Sequence, residues 1–497
     1  MHEKPIAYLE EGKPRDNCAI VGVFSKTQDV IELTINGLVA LNHRGQEGAG
    51  ATVSDGSSFY TVKGSGLAEI VFRGEKNAEE VESLPKSHIA VGNDRYSTSG
   101  SLDEMQPFVD DGIAIVHNGN LVNAEQLKDE FDIPDEIDGA RSDTRVALAV
   151  INKMRGTEEE RILQALPLFK GAYSFAFATK DALFASRDPK GFRPLIIGKL
   201  RDGGYVVASE TAALRSMGAS LLREVEPGET IKIDNEGLKT IALDERSEKL
   251  SRCIFELIYI SRPDSVVFGI PVMEFRRRQG KILARHLPEG VDVIAPVPNS
   301  GRGVALGIMT SESARFSGAE FTEVFYPNPY QNIAKGGPRT FILPNGRNKA
   351  VTEKYSVIET SVRGKSILLG DDSMVRGSMR RIVQILKAHG AKSVHALIAA
   401  PPIRHACAFG VDFGDGELLA NKTSDIEGLD VEGIRRYLDL DSLYYISYAE
   451  LLEAVLGNPV ENIPEVFERN DFCGACFTGR YPIETDGTIK KVLAAIE

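Results

Sequence analysis

The pattern of hydrophobic runs changes once along the chain, and that change limits the folds available. From about residue 17 to 239, short β-rich runs are separated by Gly, Asn and Asp turns, a pattern typical of stacked sheets. Helical spacing of apolar residues occurs near 30–41 and 142–154. From about residue 292 the order becomes strand, loop, helix, strand, which indicates a parallel sheet with crossover helices. We therefore expect two large α/β domains, with the boundary after residue 245 in the charged stretch LDERSEKLSR.

Composition excludes several classes of protein. The 58 basic and 71 acidic residues give a net charge of −13, which argues against a sequence-independent nucleic-acid binder. No run approaches the ~18 apolar residues that a membrane-spanning helix needs. The first seventeen residues are charged throughout and lack the apolar core of a secretory signal, so we expect a cytoplasmic protein.

The five cysteines are sparse and odd in number, which argues against a secreted disulfide framework. Two of them form a C-x-x-C pair at 473–476, and the others are dispersed. That spacing by itself suits buried thiols, a redox pair or part of a zinc site. Four thiolates also match the ligand demand of a [4Fe–4S] cluster, and the spacing alone leaves these alternatives open.

Cys18 stands directly before the apolar run AIVGVF and after a polar leader. Removal of the leader would give this residue both a thiol and a free α-amino group. An α-amine has a reference pKa of about 7.7–8.0, so it could act as the base for its own side chain near neutrality. The alternative is that Cys18 is a small buried apolar residue.

Polar loops at the ends of strand-like runs suggest the first alternative, because functional loops belong at such positions. They are LNHRGQEGAG at 41–50, GNDRYSTSG at 92–100, HNGNL at 117–121 and RSDT at 141–144. Together with Cys18 they resemble the glutaminase domain of the class II, N-terminal-nucleophile amidotransferases. The resemblance implies a propeptide at 1–17 and a four-layer αββα domain at 18–245.

The same resemblance implies roles for individual residues. Cys18 would attack the side-chain amide of glutamine and release ammonia, with Asn118 and Gly119 forming the oxyanion hole. Arg95 would bind the α-carboxylate of glutamine, and Asp143 its α-ammonium. The sequence differs from the usual family pattern at Ala19, where Gly is common, at Gly48, where Ser is common, and at the pair Asn93 and Asp94, which replaces a pair containing His.

The run SILLGDDSMVRGS at 366–378 combines a strand, an acidic pair and a loop that opens a helix. Two carboxylates at the carboxyl end of a strand can hold ribose hydroxyls and a hydrated Mg²⁺, and the loop can point amides at a phosphate. Asp371 and Asp372 are the candidate carboxylates. The candidate phosphate cradle consists of Ser373, Arg376, Gly377 and Ser378. An acidic pair of this kind is also found in solvated turns and helix caps.

This run resembles the phosphoribosyl pyrophosphate (PRPP) motif of the type I phosphoribosyltransferases. The resemblance implies a central parallel sheet over 246–497, ribose and Mg²⁺ contacts from the acidic pair, and a 5′-phosphate in the cradle. PVPNSGRGVALG at 296–307 resembles the pyrophosphate loop, with Ser300 as a further Mg²⁺ candidate. The segment at 326–344 resembles the loop that closes over PRPP, with Pro329 where Arg is usual. RRRQGK at 276–281 is interpreted as a solvated helix face rather than a binding patch.

The contexts of the remaining cysteines narrow their interpretation. CIFELIYISRPDS, PPIRHACAFGVDF and CGACFTGRYP resemble the cluster-bearing segments of the iron–sulfur branch of the glutamine PRPP amidotransferases. The resemblance then covers residues 18 to about 482 and implies a [4Fe–4S] cluster held by Cys253, Cys407, Cys473 and Cys476.

The family resemblance as a whole implies an enzyme that uses ammonia from glutamine to displace pyrophosphate from PRPP. The product would be 5-phosphoribosylamine, in the first committed step of purine (IMP) synthesis. We expect feedback by purine nucleotides, a homo-oligomer (a tetramer in this family), and neither nucleic acid nor membrane as a partner. The alternatives are a PRPP- or nucleotide-sensing paralogue that retains the fold, and an iron–sulfur redox protein with a vestigial amidotransferase domain.

Overall fold

The computed structural model describes most of the chain in nine parts. These are residues 18–75, 77–95, 102–244, 249–327, 355–411, 413, 418–422, 430–457 and 471–484. The predicted propeptide at 1–17 lies outside them, and so does most of the predicted closing loop, Pro329 included.

The amino-terminal half contains two antiparallel sheets that pack face to face. Their strands are β1 Ala19–Phe24, β2 Gly48–Ser54, β3 Phe59–Ser65, β4 Ile89–Arg95, β5 Phe108–Asp110, β6 Ile113–Leu121, β7 Gly171–Ala178, β8 Leu183–Arg187, β9 Ile196–Lys199, β10 Tyr205–Ala208, β11 Ser220–Glu224, β12 Glu229–Asp234 and β13 Gly237–Leu243. The order is β11-β9-β10-β1-β4-β2-β3 in one sheet and β13-β12-β8-β7-β6-β5 in the other. The alternation of side chains along β1 fits this packing: Ile20 faces the second sheet, whereas Val21 faces the helices.

Helices cover the outer face of each sheet. In this half they are α1 Val30–Leu41, α2 Ala68–Arg73, α3 Ala78–Glu82, α4 Ala124–Phe131, α5 Asp143–Lys153, α6 Glu158–Ala165 and α7 Thr211–Ser216, with 3₁₀ turns at Leu102–Glu104 and Leu166–Leu168. Apolar residues of α1 and α7 pack on the seven-stranded sheet, and those of α4, α5 and α6 pack on the six-stranded sheet. The predicted αββα layering is confirmed.

The carboxy-terminal half is built on a parallel sheet. Its strands are β14 Arg252–Cys253, β15 Val266–Val267, β16 Ile270–Pro271, β17 Val293–Pro296, β18 Glu320–Phe321, β19 Phe325–Pro327, β20 Tyr355–Val357, β21 Ser366–Asp371, β22 Ser393–Ile398, β23 Ser442–Tyr445 and β24 Phe472–Cys473. Five of them form a parallel sheet in the order β18-β17-β21-β22-β23. The predicted parallel sheet is confirmed.

The helices of this half pack on both faces of the parallel sheet. They are a π-helical turn at Glu256–Ile260, α8 Val272–Leu283, α9 Arg302–Met309, α10 Glu312–Ser317, α11 Met379–Ala388, α12 Leu419–Lys422, α13 Val431–Leu438, α14 Tyr448–Leu456 and α15 Ala475–Thr478, with 3₁₀ turns at Ala284–His286 and Glu359–Ser361. None of the helices in the described ranges is long and apolar enough to cross a membrane.

The interpretation of 276–281 as a solvated helix face is wrong for Arg276. This residue lies on the buried face of α8, together with Phe275 and Gln279, and is only 2% exposed. Its guanidinium donates to the carbonyl oxygens of Leu257 at 3.1 Å and Ser261 at 2.8 Å. Arg276, Arg277 and Arg278 are consecutive in the sequence, but consecutive residues of an α-helix point in different directions. Arg276 is therefore on the apolar face of α8.

Candidate functional site

Cys18 lies at the start of β1, near the middle of the seven-stranded sheet. Because side chains alternate along an extended chain and Ile20 faces the layer between the sheets, Cys18 belongs to the same side. Two side chains fix this strand end: the Asn93 amide donates to the Ala19 carbonyl at 2.9 Å, and the Ile20 N–H donates to Ser209 Oγ at 3.0 Å. The thiol is partly exposed.

Asn118 lies on β6 in the facing sheet, on the side from which Ala114 and Val116 enter the inter-sheet core. It is fully buried, and neither its Oδ1 nor its Nδ2 has a hydrogen-bond partner within the described residues. Gly119 follows in a crowded position, where an added Cβ would lie 2.6 Å from the Ala172 carbonyl carbon. Buried amides usually have a partner, so Asn118 has hydrogen-bonding capacity that the described residues leave unused.

Asp143 is the first residue of α5 and lies behind the end of β6. Its Oδ2 accepts the Leu121 N–H at 2.8 Å and is 3.6 Å from His117 Nδ1. Burial by itself would raise the pKa of this carboxyl, but His117 and the Leu121 N–H hold it below the usual value. Asp143 is therefore an anion beside the strand that carries Asn118.

Arg95 ends β4, the strand next to β1. Its Nη1 is buried without a hydrogen-bond partner among the described residues, and its Nη2 is 3.7 Å from Glu104 Oε2. The loop at 44–47 packs on this strand end. An added Cβ at Gly45 would lie 2.7 Å from the Arg95 nitrogen, and the Glu47 N–H donates to the Arg95 carbonyl at 3.1 Å.

Asp94 points away from Cys18, toward the helical layer, between Ala19 and Ala49 of the neighbouring strands. It is fully buried, and neither carboxyl oxygen has a hydrogen-bond partner in the described part of the chain. Burial raises the pKa of this carboxyl well above its usual value. The sequence showed this departure from the family pattern, and the structure shows that it places an uncompensated acid directly behind the strand.

The acidic pair lies where β21 ends, facing the loop that follows β17. Asp372 is fully buried, and both of its oxygens accept serine hydroxyls: Ser373 Oγ at 2.7 Å from Oδ2, and Ser300 Oγ on Oδ1. The Asp372 N–H donates to Asp371 Oδ1 at 3.0 Å. The structure thus joins Ser300 to the acidic pair across 72 residues, as expected where neighbouring parallel strands end at one edge.

The rest of the candidate cradle follows the acidic pair and ends where α11 begins. Gly377 has a φ of +91°, in the region that only glycine adopts readily. Arg376 is partly buried and Ser378 is exposed. The N–H groups at the start of a helix have no partners within the helix and favour an anion, so this loop has the chemistry of a phosphate site.

The four remaining cysteines converge from distant segments. Cys253 and Cys473 face each other on the paired strands β14 and β24, Cys476 lies on α15, and the Phe409 N–H donates to Cys407 Sγ at 3.3 Å. Burial raises the pKa of the Cys253 thiol to about 11, and the nearby Cys407 adds to this shift. Within the described ranges, no three His, Cys, Asp or Glu side chains are spaced to hold a single metal ion.

A buried network of charges joins the two halves, and its members are not among the predicted site residues. Arg44 donates to Glu210 at 2.6 Å and, with both terminal nitrogens, to Glu256 at 2.6 and 2.9 Å. Arg193 donates to Glu256 at 3.0 Å. All four side chains are completely buried. A signal was present, because Glu256 stands inside the apolar run CIFELIYI, where a carboxylate needs a buried partner.

Comparisons with known proteins agree with both halves. A glutamine amidotransferase domain model matches residues 93–216. Amidophosphoribosyltransferase 2, chloroplastic, of Arabidopsis thaliana is 39% identical over 492 residues, which cover 96% of this chain and 82% of the relative. The amidophosphoribosyltransferase of Mycobacterium tuberculosis H37Rv is 37% identical over 489 residues, with 95% and 87% covered.

Two solved structures share the fold over nearly the full chain. Glutamine PRPP amidotransferase from B. subtilis, complexed with ADP and GMP, has a TM-score of 0.82 and 36% identity, with 96% of this chain and 100% of that chain covered. A structure described as the allosteric regulatory enzyme of purine biosynthesis has the same TM-score and identity, with 95% and 97% covered. This agreement in sequence and fold, across both the glutaminase half and the parallel-sheet half, shows that the chain belongs to the glutamine-dependent amidophosphoribosyltransferases, the family that performs the first step of purine biosynthesis.

Proposed function

We propose that this chain hydrolyses glutamine at Cys18 and transfers the ammonia to PRPP bound at Asp371 and Asp372. The observation that carries the proposal is Asn118, a fully buried amide with no protein partner in the described residues, opposite the strand that Cys18 begins. A donor in that state suits an oxygen that becomes negative only during the reaction.

In the glutamine half, the Cys18 thiol gives its proton to its own α-amine, and its sulfur attacks the amide carbon. Asn118 Nδ2 and the Gly119 N–H donate to the resulting oxyanion. The α-ammonium of Cys18 returns its proton to the amide nitrogen as the tetrahedral intermediate collapses, so that the C–N bond breaks and ammonia leaves. A thioester remains, which water hydrolyses to glutamate. Arg95 and Asp143 hold the charged α-groups of the substrate, and the lowered pKa of Asp143 supports its role toward an ammonium.

In the PRPP half, ammonia attacks C1 of the ribose and the C1–O bond to pyrophosphate breaks, which gives 5-phosphoribosylamine. Asp371 and Asp372 would hold the ribose hydroxyls and Mg²⁺, with Ser300 close to the ion, and a bound Mg²⁺ would neutralise charge on the leaving pyrophosphate. The cradle of Ser373, Arg376, Gly377 and Ser378 would hold the 5′-phosphate. Carboxylate and hydroxyl oxygens at one strand edge fit the hard-oxygen preference of Mg²⁺.

We further propose that the four converging cysteines hold a [4Fe–4S] cluster. Each thiolate of such a cluster binds a different iron atom, so the sulfurs stand farther apart than around a single ion. The four cysteines converge here from separate segments: Cys253 pairs with Cys473 across β14 and β24, and Cys407 lies near enough to Cys473 and Cys476 to raise the pKa of both thiols. Bound iron would hold sulfurs as thiolates that burial otherwise keeps protonated, and the cluster would cross-link Cys253, Cys407 and the segment bearing Cys473 and Cys476.

Other parts of the proposal concern processing and partners. Removal of residues 1–17 would expose the Cys18 amine, and a reducing cytoplasm would suit both uses of sulfur. The B. subtilis relative was solved with ADP and GMP, which supports purine nucleotides as regulators of this chain. A homotetramer is proposed from the family resemblance.

The decisive experiment compares Cys18→Ala with the parent chain in two assays, with glutamine or with ammonia as the nitrogen source. We expect loss of glutamine-dependent 5-phosphoribosylamine formation and retention of the ammonia-dependent reaction. Equal loss of both would contradict separate sites. PRPP binding without pyrophosphate release in the parent would instead indicate a sensing paralogue, and reversible redox titration without glutamine hydrolysis would indicate a redox protein.

Intact-mass measurement of the purified, active chain tests the processing step. We expect the first residue to be Cys18. An active chain that begins at Met1 would refute the use of the Cys18 amine as the base.

A further inference from the structure

Glu256 is contributed by the carboxy-terminal half, yet its strongest partner belongs to the glutaminase half. It starts the π-helical turn, three residues after Cys253, and is fully buried. Its carboxylate accepts both terminal nitrogens of Arg44, one from Arg193 and the Ser261 hydroxyl at 2.9 Å. Burial would raise the pKa of Glu256, but the two guanidinium groups hold it below the usual value, so it is an anion.

Arg44 links Glu256 to the loop that packs beside Arg95 in the proposed glutamine site. It precedes Gly45, whose backbone packs against Asp94 and Arg95, and the Glu47 N–H donates to the Arg95 carbonyl at 3.1 Å. Since a Cβ at Gly45 would lie only 2.6 Å from the Asp94 carbonyl carbon, the loop has no room to shift toward the strand. The loop that carries Arg44 therefore packs directly on the backbone of Arg95, which β4 also pairs with Gly48 of β2.

A second set of hydrogen bonds links the network around Glu256 to β6, the strand that carries Asn118 and Gly119. Arg193 Nη2 donates to the Phe409 carbonyl at 2.9 Å, and Asn120 Nδ2 donates to the Ala408 carbonyl at 2.9 Å. Asn120 follows Gly119 directly on β6. The turn at 407–409 thus accepts hydrogen bonds from two side chains of the glutaminase half, Asn120 and Arg193, and Arg193 connects it to Glu256.

Glu256 is itself held rigidly. Arg276 of α8 donates to the carbonyl oxygens of Leu257, Tyr259 and Ser261, which line the turn that follows Glu256. Glu210 completes the charge balance, because the buried group then contains the cations of Arg44 and Arg193 and the anions of Glu210 and Glu256. A buried charge that loses its partner is strongly unfavourable, so this network has one well-defined arrangement.

We propose that Glu256 is a positioning residue for glutamine binding, supplied by the PRPP half: its grip on Arg44 holds the loop at 44–47 and thereby the backbone of Arg95. The inference rests on the proposed role of Arg95 in binding glutamine. It makes the glutamine site dependent on correct docking of the carboxy-terminal half.

The test is Glu256→Gln in the full chain, which keeps the shape of the side chain and removes its charge. We expect the KM for glutamine to rise about tenfold, the change that corresponds to ~1.4 kcal/mol, with little change in glutaminase kcat. The ammonia-dependent kcat, the KM for PRPP and the iron content should match those of the parent. Glu453→Gln is the matched control, because Glu453 also forms a two-nitrogen pair, with Arg285, but on α14 away from both sites.

An unchanged KM for glutamine in soluble Glu256→Gln would overturn the inference, and so would an equal loss of ammonia-dependent activity. If that variant does not fold, Ser261→Ala removes only one hydrogen bond from the same carboxylate. The KM for glutamine should then rise about threefold, the effect of one ordinary hydrogen bond, and no change would again refute the idea. Cys18→Ala separates the two claims: if it retains glutamine hydrolysis the proposed function fails, whereas if it loses hydrolysis and the Glu256 variants do not differ from the parent, only this inference fails.

Discussion

Replacement of Asn118 by leucine should lower the rate of glutamine hydrolysis without lowering the stability of the fold. Asn118→Leu keeps the branched shape of the side chain but removes its amide. In the structure this amide is fully buried and has no hydrogen-bond partner in the described part of the chain. The substitution therefore breaks no side-chain hydrogen bond among the described residues.

The expected changes in kcat, KM and stability follow from the burial of the Asn118 amide and its lack of a partner among the described residues. Loss of one oxyanion donor typically lowers kcat by about 10²–10³-fold, or about 2.7–4 kcal/mol. The KM for glutamine should stay nearly constant, because the interaction forms only in the transition state. An unpaired buried polar group costs about 1–3 kcal/mol of stability, so the leucine variant should be at least as stable as the parent.

The assay is steady-state glutamine hydrolysis, with ammonia-dependent phosphoribosylamine formation and the thermal midpoint measured on the same samples. Asn152→Leu is the matched control, since Asn152 is a partly exposed amide on α5 that donates to Asp110 at 2.9 Å and accepts from Arg161 at 3.3 Å, so its removal breaks ordinary hydrogen bonds within the protein. A fall in kcat of less than about tenfold, or a clear loss of stability, would show that Asn118 is a structural amide and not an oxyanion donor.

Three further predictions concern other buried groups. Burial raises the pKa of Asp94 above its ordinary 3.8, so the folded chain retains a proton that the unfolded chain loses as pH rises past about 4. Its contribution to stability is therefore lost with rising pH, and Asp94→Asn should raise the thermal midpoint more at pH 8 than at pH 4; an equal shift at both would contradict this. Asp372→Asn should abolish ammonia-dependent synthesis and leave basal glutamine hydrolysis intact, and loss of both in the two assays would refute separate sites. Cys476→Ser should lose iron and sulfide and melt earlier, whereas Cys18→Ser should keep its iron; equal iron in both would exclude Cys476 as a ligand.

Local patterns located the strands that carry the candidate residues. The runs after Cys18, around Asn118 and before Asp371 each form the expected strand, because a strand core needs only a short apolar sequence bounded by turn residues. Strands β5, β11, β12 and β13 of the amino-terminal half were not predicted. Strands β5, β11 and β13 lie at sheet edges, where one side lacks a neighbour and the hydrophobic pattern is weaker; Leu221 and Leu222 of β11 are about half exposed. Strand β12 lies inside its sheet, between β8 and β13, so the edge effect does not account for it.

The sequence by itself determined the fold class, the family and the residue types that the chemistry requires, because each depends on contiguous motifs at strand ends. Only the tertiary structure decided which charges meet. Arg44 and Glu256 are 212 residues apart, and Arg193 and Phe409 are 216 residues apart, so no local spacing relates them. Nor does the sequence distinguish Glu256, which gains two cations, from Asp94, which has no partner in the described residues. Both are carboxylates, and their opposite pKa shifts depend on what the folded chain places beside them.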